Sequence, residues 1–308
     1  NVARSAVAYF NNRTDDRPFF LNVGFLNPHD CCFPAMADGG PGKYAFAPAI
    51  ESDLPPLPDN FNDAYAENGR PATRDWSRRD WQYYIYQYHR MVEMVDAEIG
   101  RVMDALRVSP YAENTLVIFA SDHGDGAGFH ANVSKGFLEE EAFRVPTIAW
   151  WPGHIPANVQ DSDHLISSVD IAATICDYAG APPLPKTTIA KSMRPLLEQR
   201  NGSWRDYIVG ETSIGPLSAA IVEERYKSII FTDHTRLYDL QNDPLEMRDL
   251  ANDPDHRETL ARHRAHLREY IAQIEMYTEP DNVEEMALAR GNLYREYNDW
   301  YTSVLNEA

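Results

Sequence analysis

The sequence predicts an α/β fold: part of a mostly parallel sheet flanked by helices, followed by a smaller antiparallel sheet with a helix. Two short apolar runs, residues 19–25 and 116–120, each end in polar residues and are separated by a long helical pattern, which is typical of parallel strands joined by a crossover helix. Several short strands follow one another after residue 186, as in an antiparallel sheet. We therefore predict two parts, residues 1–185 and residues 186–308, the second with an acidic tail.

Composition narrows the possible functions. The formal net charge of −19 argues against binding to nucleic acid and to anionic membrane surfaces, because both need a basic face. No apolar run reaches the roughly 18 residues that a membrane-spanning helix needs. The three cysteines do not make a disulfide framework. Asn1 is not an initiator methionine, and residues 2–11 already have a helical pattern, so we expect the later part of a longer protein.

The first buried strand is predicted at residues 19–25, and the chain then turns. Pro28 fixes this turn and presents His29 at the strand end. Residues 31–76 follow; they are rich in proline, glycine and asparagine and have no sustained periodicity. Because a long loop in a compact domain is usually functional, we predict that this segment forms a rim over a site.

A long amphipathic helix is predicted next. Ser77 to Asp80 resembles a capping box, and the helical pattern continues to about Arg107. Its apolar positions recur at spacings of three and four, which predicts one stripe facing the core. They are Trp81, Tyr84, Ile85, Tyr88, Met91, Val92, Val95, Ile99, Val102, Met103 and Leu106.

The strand at Leu116–Ala120 ends in a polar loop that we predict to be the functional centre. Asp122 and His123 are adjacent, so along a strand they would point in opposite directions. A turn that begins here lets both converge, and the nearby glycines permit one. Asp and Gly are also ordinary turn formers, and the tripeptide alone is weak evidence.

The same loop supplies His130 and Lys135. A carboxylate and an imidazole suit a divalent cation, which makes Asp122 and His123 candidate metal ligands. A lysine beside a cation suits a bound oxyanion. The loop therefore predicts a site for a metal ion and an anionic substrate.

The rest of the chain predicts further regular elements. A strand at Val145–Trp151 follows the loop, and Ser168 could cap a helix from Val169 to Ala179 that stops at Gly180. Four short strands are predicted at Tyr207–Thr212, Leu217–Val222, Tyr226–Thr232 and Arg236–Leu240, and a charged helix at about Pro254–Glu275.

Taken together, the motifs resemble those of the type I, formylglycine-dependent sulfatases of the alkaline phosphatase superfamily. The similar segments, in order, are Phe19-Phe20-Leu21 to Asn27-Pro28-His29, Val95-Asp96 to Asp104-Ala105-Leu106, Ser121-Asp122-His123-Gly124 to Lys135, Glu140 to Arg144-Val145-Pro146, and Leu237-Tyr238-Asp239-Leu240 to Asp249-Leu250. The resemblance spans about residues 5 to 275 and is specific only as a set.

The resemblance implies a role for each candidate residue. Asp122 and His123 would be ligands of a divalent cation, usually calcium in this family. His29 and Lys135 would bind the sulfate and stabilise or protonate the leaving oxygen, and His130 would lie near the substrate. The resemblance also implies an alkaline-phosphatase-like fold and a periplasmic, secreted or lysosomal location.

Several features that the resemblance implies are absent from the sequence, among them the nucleophile motif and the family's N-terminal Asp-Asp metal pair. The family's nucleophile is a formylglycine made within a C-x-P/A-x-R motif near the N-terminus, and this chain has none. Residues Cys32 to Met36 come near it, but Met36 replaces the arginine and the segment follows His29 instead of preceding it. We therefore expect the nucleophile on a missing N-terminal segment, which makes the N-terminal fragment of the same protein a candidate partner. The chain alone should be inactive.

The function that this resemblance implies is hydrolysis of a sulfate ester of a small molecule or saccharide. Aromatic residues of the long loop could line a saccharide cleft or could pack beneath the loop; they are Tyr44, Phe46, Phe61, Tyr65 and Trp76. One alternative is a phosphodiesterase or phosphonate monoester hydrolase of the same superfamily. Another is a non-catalytic relative that binds an oxyanion.

Overall fold

A computed structural model describes residues 1–31, 50–64, 73–184, 189–200, 202–212, 216–274 and 283–306. The chain divides into two compact units. Unit 1 comprises Asn1–Val117, Gly124–Lys135 and Ala149–His154, and unit 2 comprises Ile118–His123, Gly136–Ile148 and Ile155–Ala308. The predicted boundary between residues 185 and 186 falls outside the described residues and stays a prediction.

Unit 1 begins with helix α1 (Val2–Asn12), as the sequence predicts. The chain then runs through residues 19–25, but the structure assigns no strand to them. Burial nevertheless alternates as in a strand: Phe19 packs against Phe10 in the core, whereas Phe20 is 72% exposed. One face of this segment is therefore held by packing, without a ladder of hydrogen bonds to another described strand.

Helix α2 (Arg78–Arg107) begins with the predicted capping box. The Ser77 hydroxyl accepts a hydrogen bond from the backbone N–H of Asp80 at 3.2 Å, and the Asp80 carboxylate accepts one from the backbone N–H of Ser77 at 2.8 Å. These bonds satisfy two of the donors that a helix N-terminus leaves unpaired. The sequence therefore predicted both ends of this helix correctly.

The apolar stripe of α2 is buried at its ends rather than along its whole length. Trp81 and Tyr84 belong to one buried cluster, and Ala105 and Leu106 belong to another. Between them, Val92 is exposed. The predicted stripe is nevertheless correct at every position except Val92, because the other ten residues are buried or partly buried. Tyr88 and Met91 pack against the first cluster and Val102 against the second.

Strands β1 (Val117–Ala120) and β2 (Thr147–Trp150) form a two-stranded sheet at two of the predicted strand positions. Val117 and Trp150 pack beside the cluster that contains Leu106. Phe119 and Ile148 are exposed, so the burial predicted for both faces is not seen among the described residues.

Two helices of unit 2 flank β2 along the chain, α3 (Glu140–Phe143) before it and α4 (Val169–Ala179) after it. Helix α4 ends at Gly180, whose φ of 63° is the left-handed conformation that favours glycine, as predicted. The predicted cap at Ser168 is wrong, because Ser168 already has helical φ and ψ and makes no side-chain cap bond. Instead, the Asp170 carboxylate accepts a hydrogen bond from the backbone N–H of Ser167 at 2.7 Å.

The predicted antiparallel sheet is present in unit 2. After the short helix α5 (Arg194–Leu197), its strands are β3 (Tyr207–Thr212), β4 (Ser218–Glu223), β5 (Tyr226–Phe231) and β6 (Thr235–Asp239), paired in chain order. The predicted bounds differ from these by at most one residue at each end. Central strands β4 and β5 are buried on both faces. Residues 219–222 of β4 are accordingly all apolar, whereas β5 also buries Lys227 and Ser228.

Helices cover one face of this sheet. Helix α6 (Arg257–Gln273) follows a short 3-10 turn at Pro254–His256, where the sequence predicted one continuous helix, and helix α7 (Val283–Asn306) closes the chain. The shared core contains Ala219, Ile221, Ile230, Leu267, Tyr270, Ile271, Tyr297, Trp300, Tyr301 and Val304. Leu138 and Phe143 pack against the opposite face. None of the helices in the described parts of the chain could span a membrane.

A buried lysine joins three segments of unit 2. The Lys227 ammonium on β5 lies 2.9 Å from a carboxylate oxygen of Glu140 and 2.9 Å from one of Glu246, and the side chains of Lys227 and Glu246 are fully buried. The Phe143 ring lies beneath the same ammonium, 5.0 Å from it. Burial raises the pKa of Glu246, while the Lys227 charge opposes that rise. The carboxylates therefore depend on the lysine for compensation.

We predict that Lys227→Met destabilises the chain by about 3–5 kcal/mol, because removing one partner leaves buried carboxylates uncompensated. Urea unfolding followed by circular dichroism measures the change. Arg90→Met is the matched control, since Arg90 pairs with Glu93 on the surface of α2 and such pairs contribute at most about 1 kcal/mol. Equal effects of the two substitutions would contradict the prediction.

His263 is a second buried titratable group of unit 2. Its Nδ1 lies 2.8 Å from the Ser228 hydroxyl, and its Nε2 lies 3.3 Å from a Glu223 carboxylate oxygen. Burial lowers the pKa of His263 to about 4, against the partly opposing effect of the Glu223 charge. The ring is therefore neutral in the folded chain near pH 7.

This shift predicts an acid sensitivity. Between the unfolded pKa of about 6.5 and the folded value, the unfolded chain binds a proton that the folded chain does not, so stability falls as pH falls. The His263 contribution lowers the free energy of unfolding by on the order of 2 kcal/mol as the pH falls from about 6.5 to about 4. His263→Gln should abolish this part of the acid destabilisation. Urea unfolding at several pH values measures it, with exposed His234→Gln as the control. An unchanged slope for His263→Gln would refute the assignment.

Candidate active site

The structure divides the candidate residues between the two units. Asp122 and His123 belong to unit 2, directly after β1. His29, His130 and Lys135 belong to unit 1. Each group is built by local contacts of its own unit.

Asp122 and His123 lie side by side at a bend directly after β1. The Asp122 carboxylate accepts a hydrogen bond from the backbone N–H of His123 at 3.0 Å, and the Nε2 atom of His123 lies 3.5 Å from the other carboxylate oxygen. The Ser121 hydroxyl donates to the His123 carbonyl at 2.8 Å. The Asp122 side chain is 85% exposed. Two adjacent residues therefore present an oxygen and a nitrogen ligand to the same region.

This pair fits a divalent cation as two of its ligands, because an exposed carboxylate oxygen and an imidazole nitrogen are both common donors to such ions. Over the described residues, His, Cys, Asp and Glu side chains form no group of three or more that could hold a metal. The pair can thus supply part of a coordination shell.

His29 lies on a short 3-10 turn, His29–Cys31, after the cis peptide bond between Asn27 and Pro28. The backbone N–H of His29 donates to the Leu26 carbonyl at 3.0 Å, which holds the turn. Its ring is exposed, with Nδ1 3.7 Å from an Asp30 carboxylate oxygen. Pro28 thus precedes a chain turn that carries an exposed His29 ring, and the predicted strand end is not assigned there.

The loop that carries His130 and Lys135 is a tight structure with its own hydrogen bonds. The backbone N–H of Gly126 donates to the Ser134 carbonyl at 2.8 Å, and that of Gly128 donates to the Asn132 carbonyl at 2.9 Å. A Cβ on Gly126 would lie 2.5 Å from the carbonyl carbon and oxygen of Asn132, so only glycine allows this close approach. Of the predicted turn glycines, Gly126 is required by this close approach, and Gly128 is favoured by its left-handed φ of 84°.

Four non-glycine residues of this loop have left-handed backbone conformations. They are Ala127, His130, Ala131 and Ser134, with φ values from 42° to 64°. Each such conformation costs roughly 1–3 kcal/mol and persists only where surrounding contacts impose it. Lys135, half-buried, follows directly after Ser134. The loop conformation that positions His130 and Lys135 must therefore be held by other parts of unit 1.

Asp125 helps to stabilise this loop conformation. Its Oδ1 atom accepts hydrogen bonds from the Tyr84 hydroxyl at 2.8 Å and from the backbone N–H of Ala127 at 2.9 Å. Its Oδ2 atom lies 3.6 Å from the Cys31 thiol. The backbone N–H of Ser134 donates to the Tyr84 hydroxyl at 3.2 Å. One carboxylate thus links the His29 turn, helix α2 and both ends of the loop.

The environment of this network is apolar. Burial raises the pKa of Asp125, and burial together with the Asp125 charge raises the pKa of Tyr84 beyond its usual range. Burial also raises the pKa of Tyr88 to about 12. Both tyrosine hydroxyls therefore stay protonated near pH 7, and Tyr84 serves as a hydrogen-bond donor.

Sequence reasoning missed Asp125, Tyr84 and Cys31 as parts of the site. The sequence analysis places Tyr84 only on the apolar stripe of α2 and does not single out Asp125. The one available signal is an acidic residue between Gly124 and Gly126, where the backbone approaches closely. This pattern indicates a turn, but it does not show which residues the Asp125 carboxylate contacts.

The aromatic residues of the long loop pack on helix α2 where they are described. The rings of Phe61 and Trp76 lie 5.3 Å and 5.0 Å from the Trp81 ring, edge to face. Of the two predicted roles, lining a saccharide cleft or packing beneath the loop, these two residues have the packing role. Tyr44, Phe46 and Tyr65, the other candidates for a saccharide cleft, lie outside the described residues, as does the near-miss motif at residues 32–36.

Comparison with known families gives two matches. The family model described as Sulfatase matches residues 1–181, and the model described as N-sulphoglucosamine sulphohydrolase, C-terminal, matches residues 128–273. The first match alone covers more than half of the chain and contains all five candidate residues.

Individual relatives give the same result. A delta 4,5-hexuronate-2-O-sulfatase from Bacteroides thetaiotaomicron is 31% identical over 300 residues, covering 88% of this chain and 60% of the relative. The chain spans about half the length of the curated relatives it matches.

Solved structures share the fold. A 2-O GAG sulfatase is 28% identical with a TM-score of 0.74, covering 88% of this chain and 62% of that one. A phosphonate monoester hydrolase of Agrobacterium radiobacter is 26% identical with a TM-score of 0.66, covering 88% and 59%. These similarities confirm the predicted fold class, an alkaline-phosphatase-like α/β domain with a small antiparallel sheet.

We predict that Gly126→Ala opens the loop, because the new Cβ overlaps the Asn132 backbone and such overpacking costs about 1–3 kcal/mol. Hydrogen exchange measured by mass spectrometry should show faster exchange in peptides that cover residues 124–135. Gly100→Ala is the control: nothing lies within 4 Å of its Cβ, and alanine favours the interior of α2. Unchanged protection of the loop in Gly126→Ala would contradict the close approach described here.

Proposed function

The chain belongs to the sulfatase family, and we propose that it carries part of an active site that hydrolyses a sulfate ester. The observation that carries this proposal is the family match over residues 1–181, which includes every candidate residue. They are His29, Asp122, His123, His130 and Lys135. The pinned loop of unit 1 supports the proposal, because strained and rigidly held loops are common at active sites.

Lys135 and His29 are the proposed catalytic residues. Cleavage of a sulfate ester increases negative charge on the sulfuryl oxygens and on the departing oxygen. The Lys135 ammonium would bind the sulfate and stabilise that charge. The exposed His29 imidazole would contact the sulfate and deliver a proton to the leaving oxygen. His130 is proposed as a further substrate contact.

Asp122 and His123 would hold a divalent cation, which we propose to be Ca²⁺. Support comes from the exposed carboxylate of Asp122 and the adjacent imidazole, which suit two positions of a coordination shell. The choice of calcium rests on the family resemblance. When bound, the ion would supply further charge stabilisation to the sulfuryl oxygens.

The nucleophile is proposed to be a formylglycine on an N-terminal segment of the same protein, outside this chain. The absence of a C-x-P/A-x-R motif from the sequence supports this assignment. The isolated chain should then bind substrate weakly and turn none over. Denaturing mass spectrometry of the purified material would reveal a companion fragment that carries the modified residue.

The proposed substrate is a carbohydrate sulfate. Two of the relatives described above are named as 2-O-sulfatases of a hexuronate and of a glycosaminoglycan, which supports a sulfated saccharide here. A periplasmic, secreted or lysosomal location is proposed on the family resemblance.

In the full-length protein, we predict that Lys135→Met lowers kcat/KM for an aryl sulfate by about 10²–10³-fold, as expected when one donor to the developing charge is lost. Initial rates under matched conditions measure the change. Lys191→Met is the control, because this exposed lysine of unit 2 is no candidate residue. A Lys135→Met enzyme as active as Lys191→Met would exclude Lys135 from catalysis.

The same assay separates the alternatives. The similarity to a phosphonate monoester hydrolase favours phosphoester chemistry as the second candidate. Higher kcat/KM for an aryl phosphonate monoester than for the matched aryl sulfate would select it. No turnover of any of these esters by full-length protein would favour the non-catalytic, oxyanion-binding alternative.

A further inference from the structure

The Tyr84 hydroxyl contacts both ends of the loop that leads to Lys135. Tyr84 is fully buried on helix α2. Its hydroxyl donates to the Asp125 carboxylate at 2.8 Å and accepts from the backbone N–H of Ser134 at 3.2 Å. The Cys31 thiol lies 3.7 Å from the same oxygen. One side-chain oxygen therefore lies between the start of the loop and the residue directly before Lys135.

The direction of each hydrogen bond follows from the groups involved. A backbone N–H can only donate, so the Ser134 N–H must use a lone pair of the Tyr84 oxygen. The single hydroxyl proton of Tyr84 is then available to the Asp125 carboxylate, which accepts it. The same carboxylate also accepts from the Ser134 N–H. Tyr84 and Asp125 therefore act together on one backbone group of the loop.

Ser134 needs such contacts because its backbone is left-handed, with a φ of 64°. This conformation is unfavourable for a residue other than glycine and persists only where surrounding contacts impose it. The Ser134 carbonyl accepts from the backbone N–H of Gly126 at 2.8 Å, while the Ser134 N–H is bound to Tyr84. Both peptide groups that flank Ser134 are therefore held, and the second of them joins Ser134 to Lys135.

We propose that Tyr84 is a positioning residue for Lys135, because its hydroxyl fixes the backbone from which the lysine side chain extends. Tyr84 acts through Lys135 and needs no contact with the substrate. The buried Val133 side chain packs in the same cluster as the Tyr84 ring, so the ring and the hydroxyl hold neighbouring residues by different interactions. The catalytic part of this inference rests on the proposed function of Lys135, whereas the hold on the backbone does not.

Hydrogen exchange of the full-length protein, measured by mass spectrometry on overlapping peptides, tests the hold on the backbone. Tyr84→Phe removes the hydroxyl and keeps the ring, so the Ser134 amide loses an acceptor. Exchange of this amide should become on the order of tenfold faster, as expected when one hydrogen bond is lost. Unchanged exchange would overturn the proposal. If Tyr84→Phe does not fold, the wild-type protein decides, because a Ser134 amide without protection would also overturn it.

Tyr83→Phe is the matched control. Tyr83 is the neighbouring residue on α2 and is also buried, and its hydroxyl donates to a Glu51 carboxylate oxygen at 3.2 Å. The control therefore removes one tyrosine hydroxyl and one hydrogen bond from unit 1 at a site away from the loop. Both Ser134 exchange and kcat should stay within about twofold of the wild-type values. Equal changes in the two variants would indicate a general loosening of α2 and would refute a specific hold on the loop.

Kinetics of the full-length protein test whether Tyr84 acts through Lys135. Tyr84→Phe should lower kcat for an aryl sulfate about tenfold with KM within about twofold, because a displaced ammonium stabilises the transition state less well. In a Lys135→Met background, the same substitution should change kcat by less than about twofold, since residues that act as a unit are not additive. An unchanged kcat in Tyr84→Phe, or a second tenfold loss in the Lys135→Met background, would refute the positioning role.

The two measurements fail in different ways. Hydrogen exchange needs no turnover, so a full-length protein that cleaves no sulfate ester would defeat the proposed function, and the exchange of the Ser134 amide would still decide whether Tyr84 holds the loop.

Discussion

The carboxylate of Asp125 holds together the parts of unit 1 that carry candidate residues. It accepts from Tyr84 on helix α2 and from the Ala127 backbone, and it contacts Cys31 at the end of the His29 turn. Four left-handed residues in the loop together cost several kcal/mol at roughly 1–3 kcal/mol each. Buried, multiply bonded groups can impose such a conformation, and Asp125 acts here together with the backbone hydrogen bonds that Gly126 and Gly128 make across the loop.

Local signals in the sequence were sufficient for the elements that form locally. The capping box at Ser77 predicted where α2 begins, and short apolar runs predicted the antiparallel sheet. The anchors of the site could not be predicted in this way, because their partners are distant in sequence. Cys31 and Asp125 are 94 residues apart, and Tyr84 and Ser134 are 50 apart. Nothing in the local pattern of an aspartate between glycines, or of a tyrosine on an apolar helix stripe, indicates such a partner.

Some residues that carry the family resemblance have structural roles in unit 2. Glu140 and Glu246 come from two different motifs of the resemblance, and Lys227 pairs with both. The backbone N–H of Glu140 also donates to the Glu246 carboxylate at 2.7 Å. These contacts tie the segment that follows the candidate loop to the antiparallel sheet. A motif can thus identify a family through residues that stabilise the fold. Membership of a motif therefore does not by itself give a residue a role in catalysis.

The acidic surplus of the chain is compatible with an anionic substrate. A net charge of −19 repels sulfate at long range, but the Debye length at physiological ionic strength is about 8 Å, so most of those charges are screened from any one site. What decides binding is the charge within a few ångströms of the bound anion, and under the proposed function the Lys135 ammonium would be part of that local charge. Under the proposed assignments, attraction of the ester therefore comes from local positive charge and not from the average charge of the chain.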